Sequence, residues 1–128
     1  MIFVDTNVIM YAVGRPHALR PEARSFFEWA VSQDHNPLCT SAEVLQELLH
    51  AYIPVGRMET LDAALKLAAS CIPQIYTVGE EDVRLARLLA DTHSHLGARD
   101  LIHLAVCRRN AVRQVKTFDR ALASAFAE

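Results

Sequence analysis

Short apolar runs alternate with longer stretches of helical periodicity along this chain, and that alternation narrows the fold more than any other feature. Ile2-Phe3-Val4-Asp5 is an apolar run closed by an acid, and Leu38-Cys39-Thr40, Gln74 to Val78 and Val112 to Thr117 read as further strands. Thr6 and Asn7 can cap a helix through Asn7 to Val13 that stops at Gly14. Pro21-Glu22 opens the next helix, striped by Phe26, Phe27, Ala30 and Val31 and broken at Asn36-Pro37. Ser41 caps a third, in which Val44, Leu45, Leu48 and Leu49 are apolar and Glu43 and Glu47 share another face. A helical hairpin then turns at Pro54 and Gly56. Glu80-Glu81-Asp82 start a helix that runs to about His95 and ends at Gly97. Asp100 lies in the first turn of another, and Asp119 caps a last short one. Strands alternating with helices specify an α/β fold: a mostly parallel sheet of about four to five short strands flanked by helices. At 128 residues the chain is one domain, 1–128, with enough buried surface to need no disulfide.

Composition closes several other routes. No segment approaches the ~18 apolar residues of a membrane span, and the apolar N-terminus lacks the basic region of a secretory signal, so a cytoplasmic protein is expected. The three cysteines, Cys39, Cys71 and Cys107, are odd in number and form no Cys-x-x-Cys pair, which suggests neither a disulfide framework nor a zinc site. Formal net charge is −2, so bulk charge does not draw nucleic acid to the molecule. All but two of the 13 basic residues are arginines, however (the exceptions are Lys66 and Lys116), and guanidinium suits bidentate phosphate contacts.

In a parallel sheet, ligands bind outside the carboxyl ends of the strands. Asp5 ends the first strand, Ser41 follows the second, and Asp119 follows the last strand by one residue, so distant segments deliver polar groups to one edge. Each acid has a plain structural use: Asp5 as a strand end and cap, Glu43 and Glu47 as a solvated face, Asp100 and Asp119 at helix starts. Gathered at one edge they would repel and their pKa values would rise unless a divalent cation neutralised them. An all-oxygen set favours Mg²⁺, or Mn²⁺, over zinc.

Four segments resemble the acidic motifs of the PIN domain: Ile2-Phe3-Val4-Asp5-Thr6-Asn7, Ser41 through Glu47-Leu48, Gly97 through Ala105, and Val115-Lys116-Thr117-Phe118-Asp119. Their order and spacing are similar to those of stand-alone VapC-type toxins of bacterial toxin–antitoxin pairs. The resemblance implies that Asp5, Glu47, Asp100 and Asp119 are the catalytic, metal-holding acids. Glu47 is preferred to Glu43 because the family's acid sits six residues after the small hydroxyl residue, here Ser41. Thr6, Asn7, Glu43 and Thr117 would surround these acids or meet substrate. The resemblance further implies a Mg²⁺-dependent endoribonuclease, with Mn²⁺ as an alternative ion, that cleaves RNA with metal-activated water to leave a 5′-phosphate and a 3′-hydroxyl. It also implies a homodimer and a cognate VapB-type antitoxin over the active-site groove, in a heterotetramer or larger assembly.

Arg15, His17 and Arg20, in a Pro-bounded loop near the first strand's end, are candidates for RNA phosphate. His103, one turn after Asp100, could hydrogen-bond a metal-binding carboxylate, but reads first as a core or interface histidine. His50, three residues after Glu47, is a weaker groove candidate. Trp29 with Phe26 and Phe27 reads as packing. A haloacid-dehalogenase phosphatase would need a carboxylate where Asn7 stands, and a receiver domain would need a phospho-accepting Asp in mid-chain. The remaining alternative is a PIN-like protein-binding module with little or no nuclease activity.

Overall fold

Four short strands pair in parallel throughout. In the computed structural model, which describes residues 1–127, β1 (Ile2–Val4), β2 (Leu38–Ser41), β3 (Gln74–Tyr76) and β4 (Gln114–Lys116) line up in the order β3-β2-β1-β4. Phe3 stands beside Cys39 on one side and Val115 on the other, while Ser41 faces Tyr76. The chain therefore builds outward from β1 to β3, then returns to add β4 on β1's free side. That reversal is the switch point at which such sheets form a crevice.

Among the described residues seven helices surround the sheet: α1 (Thr6–Val13), α2 (Arg20–Val31), α3 (Ala42–Tyr52), α4 (Met58–Cys71), α5 (Glu80–Leu89), α6 (Ala98–Arg109) and α7 (Arg120–Phe126). The apolar central strands supply the main core: Phe3, Val4 and Leu38 are fully buried with Val8 and Ile9 of α1 and Leu48 of α3. Complete burial of one such side chain contributes about 1.5–3 kcal/mol. A smaller cluster joins Ala86 of α5 to Leu101 and Leu104 of α6. Gly56, between α3 and α4, takes φ +70°, so the hairpin turn requires the residue without a Cβ. Cys39 and Cys107 are buried free thiols and Cys71 is half-buried. Among the described residues no helix is long and apolar enough to cross a membrane.

Several local expectations change. α1 begins at Thr6 because Asp5 is itself the cap, its Oδ1 accepting from the Thr6 N–H at 2.8 Å. Ser41 occupies the corresponding place before α3 but its hydroxyl makes no capping bond; it is buried at the end of β2. α5 stops at Leu89, well short of His95; Thr92 Oγ1 donates back to the Leu89 carbonyl, while the Asp91 side chain accepts from Arg87 Nη1. Gly97 consequently opens α6 and does not close α5.

A candidate metal centre at the sheet's carboxyl edge

Asp5, Glu47, Asp100 and Asp119 line one open cavity of about 290 Å³, together with Thr6, Asn7 and other residues of α1, α3 and α6. Each acid arrives from a different element. Asp5 follows β1 at the centre of the sheet, beside the switch point. Glu47 stands near the middle of α3, Asp100 in the first turn of α6, and Asp119 at the N-cap of α7, where its Oδ1 accepts from the Ala121 N–H at 2.9 Å. The β1 edge is fixed by the Asp5 N–H donating to the Lys116 carbonyl at 3.0 Å and by Thr40 Oγ1 donating to the Val4 carbonyl at 2.8 Å.

Hydroxyl and amide groups hold the carboxylates. Thr117 Oγ1 donates to Asp5 Oδ2 at 2.6 Å, while accepting from Asn7 Nδ2 and from the Asp119 N–H. Asn7 Oδ1 in turn accepts from the Phe118 N–H, which ties α1 to the β4–α7 connection. Thr6 Oγ1 donates to Glu47 Oε2 at 2.9 Å. Thr6, Asn7 and Thr117 therefore sit directly behind the acids. Thr117→Val keeps the volume but removes the Asp5 partner. Because loss of a residue that orients a metal ligand commonly costs 10–100-fold, cleavage rate should fall by about that factor, with a thermal transition lowered by only several degrees as Asn7 and the Asp119 N–H also lose their partner. Steady-state kinetics beside a melting curve check both.

The residue that sequence alone undervalued is His103. It is fully buried beneath the acids, its Nε2 2.5 Å from Glu47 Oε1 and 3.9 Å from Asp5 Oδ1. Burial alone would push its imidazole down, but the contact with Glu47, aided by Asp5 and Asp100, outweighs burial and raises it above the ordinary histidine value. Burial likewise pushes Glu47 up, and is outweighed by His103, then Thr6 and Arg99, so this carboxyl ends below its ordinary value. The two form a buried ion pair. A signal was present in the sequence: the α6 segment around His103 is otherwise apolar (Leu101, Leu104, Ala105, Val106), and a polar group on a buried face must have a partner.

Two of the other acids, Asp5 and Asp100, lie above the ordinary carboxylate value. Burial raises Asp5, against the opposing pull of Thr117 and His103. Asp100 is pushed up to about 6 by burial and then by the neighbouring charge of Asp5. Oxygens of Asp5 and Asp100 lie within 4.8 Å of each other and of a His103 nitrogen. Two Mg²⁺–oxygen bonds of roughly 2.1 Å span nearly such a gap. The imidazole is paired with Glu47 and serves better as a fixed counter-charge than as a ligand, so the donors suited to a metal are the carboxylates.

The remaining candidates fall elsewhere. Glu43 lies in the first turn of α3 and is not among the residues lining this cavity. His50 and Arg99 do line it. Arg15 and His17 line a neighbouring pocket, and Arg20 begins α2. Trp29 is 45% exposed, packed only against Phe26 among the described aromatic rings.

Residues 2–126 match the PIN domain family. The chain belongs to that family. This PIN domain is 56% identical over 126 residues to ribonuclease VapC23 of Mycobacterium tuberculosis, covering 98% of each chain. It is 34% identical over 120 residues to ribonuclease VapC13 of the same organism, covering 94% of this chain and 91% of the other. These similarities make it a VapC-type PIN domain. Its fold superposes on the crystal structure of M. tuberculosis VapC20, described as a sarcin-ricin loop cleaving toxin, with a TM-score of 0.73 over 98% of this chain and 95% of that one at 21% identity.

Proposed function

We propose that this PIN domain is a metal-dependent endoribonuclease, the toxin of a VapBC-type toxin–antitoxin pair, and that Asp5, Glu47, Asp100 and Asp119 are its catalytic acids. The observation that carries the reading is the convergence of four carboxylates in one cavity at the switch point of the sheet. The names of VapC23 and VapC13 support RNA as the substrate and a VapB-type antitoxin as the partner. A homodimer, bound by antitoxin as a heterotetramer or larger, is part of the proposal.

Asp5 and Asp100 would hold a divalent cation, Mg²⁺ or Mn²⁺, with Asp119 and Glu47 completing the acidic wall. When bound, the ion supplies charge neutralisation at the scissile phosphate and a nucleophile at neutral pH, for hydrolysis that leaves a 5′-phosphate and a 3′-hydroxyl. The chain's own part is positional. Thr117 fixes the rotamer of Asp5, and Thr6 and His103 grip both oxygens of Glu47. Arg99, the cation on the cavity wall, suits a phosphate oxygen.

Four acids converging in one cavity favour catalysis over a purely protein-binding role, since a binding module gains nothing from holding carboxylates beside one another. Purified protein should cleave single-stranded RNA in Mg²⁺, lose all cleavage in EDTA and regain it on adding Mg²⁺ or Mn²⁺. Cleavage that persists in EDTA would sink the metal-dependent reading.

A further inference from the structure

A second pocket, of about 320 Å³, opens beside the acid cavity and shares Asn7 and Met10 with it as a common wall. Its character is opposite. No carboxylate lines it; its functional groups are Tyr11, Arg15, His17, Tyr52 and Arg57. Among the described residues neither Arg15 nor Arg57 is paired with an acid. Arg57 is instead held over the Tyr52 ring, 5.5 Å from its centroid, while donating to Thr60 Oγ1.

The aromatic side is equally pre-arranged. Tyr11 meets Phe118 edge-on at 5.5 Å and backs the His17 ring at 4.5 Å with a tilt of 35°. His17 Nδ1 accepts from the Leu19 N–H at 3.1 Å, which fixes the ring while the residue stays exposed. A stacking ledge and two guanidiniums with no acid partner among the described residues thus stand next to a site built for a phosphodiester. Apolar ligands would need neither guanidinium, and a simple anion would need no rings.

We infer that this pocket is a nucleotide subsite for the RNA strand beside the scissile phosphate: His17, backed by Tyr11, stacks on the base, and Arg15 and Arg57 contact the flanking phosphates. The inference rests on the nuclease reading and gives it a binding direction, with acids at one end and cations at the other. Stacking on aromatic side chains is tolerant of base identity, so the subsite contributes affinity and strand placement more than sequence choice.

The test is fluorescence anisotropy of a 5′-fluorescein-labelled, random-sequence 12-nucleotide single-stranded RNA in Mg²⁺. It uses the full chain carrying Asp100→Asn to suppress cleavage. Adding His17→Ala or Arg57→Ala should weaken binding by about tenfold each. His17→Phe, which restores a flat ring without the imidazole, should bind within about twofold of its parent. Arg15→Ala and Arg57→Ala should each flatten the slope of log K against log salt by about 0.7, whereas His17→Ala should leave the slope unchanged. Both His17 and Arg15 are exposed, so folding is not at issue for them. A parent that does not bind the RNA overturns the inference, as do variants that bind like the parent or a His17→Phe as weak as His17→Ala. Wild-type cleavage is scored separately: its absence counts against the nuclease reading, and its presence with indifferent pocket variants counts against the subsite alone.

Discussion

Asp100→Asn should abolish RNA cleavage and, in the absence of metal, make the protein more stable. The first half follows from position. Groups that merely orient a metal ligand are worth 10–100-fold, so a carboxylate that faces the ion directly is worth at least about a hundredfold. The second half follows from charge. Asp100 is raised from 3.8 in the unfolded chain to about 6 in the folded one, so between those values the folded state binds the extra proton. Stability contributed by this group therefore falls as pH rises from about 4 to 6 and stays low above that. Asparagine removes the penalty while preserving shape. Because Asp100 is only half-buried, solvent screening limits the gain to on the order of 1 kcal/mol. Urea midpoints in EDTA at pH 7.5 should rise in the variant, and the difference should vanish near pH 4. Mg²⁺ should stabilise the wild type more than the variant. Equal midpoints at pH 7.5, or undiminished cleavage, would remove Asp100 from the metal centre.

Such a gain on losing Asp100 would mark what the acids are for. A site that keeps mutually repelling carboxylates sacrifices stability to remain ready for a cation. That cost is spread unevenly here. Asp5 is supported by Thr117 and the Thr6 amide, Glu47 by His103 and Thr6, and Asp119 by its capping bond. Asp100 accepts no hydrogen bond among the described residues, so no such bond offsets its burial.

How much of this could be read from the residues depends on whether a feature is local. The alternation of apolar runs and helical stripes was enough to give the parallel sheet, because strand burial on both faces leaves an unmistakable run such as Ile2-Phe3-Val4. Three of the four acids were legible for a related reason: Asp5, Asp100 and Asp119 sit where strands end or helices begin, and those junctions have local signatures. Glu47, in mid-α3, came only from its spacing after Ser41 in the family resemblance. Strand lengths were not. Gln74 to Val78 and Val112 to Thr117 read longer than the observed β3 and β4, since an edge strand ends where its neighbour does, at Ser41 beside Tyr76 and at Val4 beside Lys116. The Glu47–His103 pair joins residues on α3 and α6, and the Thr117–Asp5 bond joins β1 to β4. No spacing rule announces either partner. The nucleotide pocket was half visible, as Arg15 and His17, but Tyr52 enters it from the last turn of α3 and Arg57 from the N-cap of α4.

Replacing His103 with leucine should destabilise the metal-free protein by about 3–5 kcal/mol, a fall in Tm on the order of 10 °C or more, because it leaves Glu47 as an unpaired charge whose side chain is only 16% exposed. The companion variant decides the cause. Buried ion pairs replaced whole by apolar residues often cost little, so His103→Leu with Glu47→Leu should recover most of the loss. If packing of the ring against Phe3, at 5.3 Å, were the whole contribution, the double variant would be no better than the single one. The pH dependence gives an independent check in EDTA. Glu47 is lowered from 4.5, so its stabilising contribution is present above that value and is lost as pH falls below it. His103 is raised from 6.5, so its contribution is complete below that value and is lost as pH climbs through the raised one. The gap between wild type and His103→Leu should therefore be widest between about pH 4.5 and 6.5 and should narrow on either side. Asp5 and Asp100 face the same imidazole and favour its protonated form, so they carry the upper edge of the window to higher pH. A gap independent of pH would mean that His103 contributes shape and not charge, and that Glu47 is held in place by Thr6 alone.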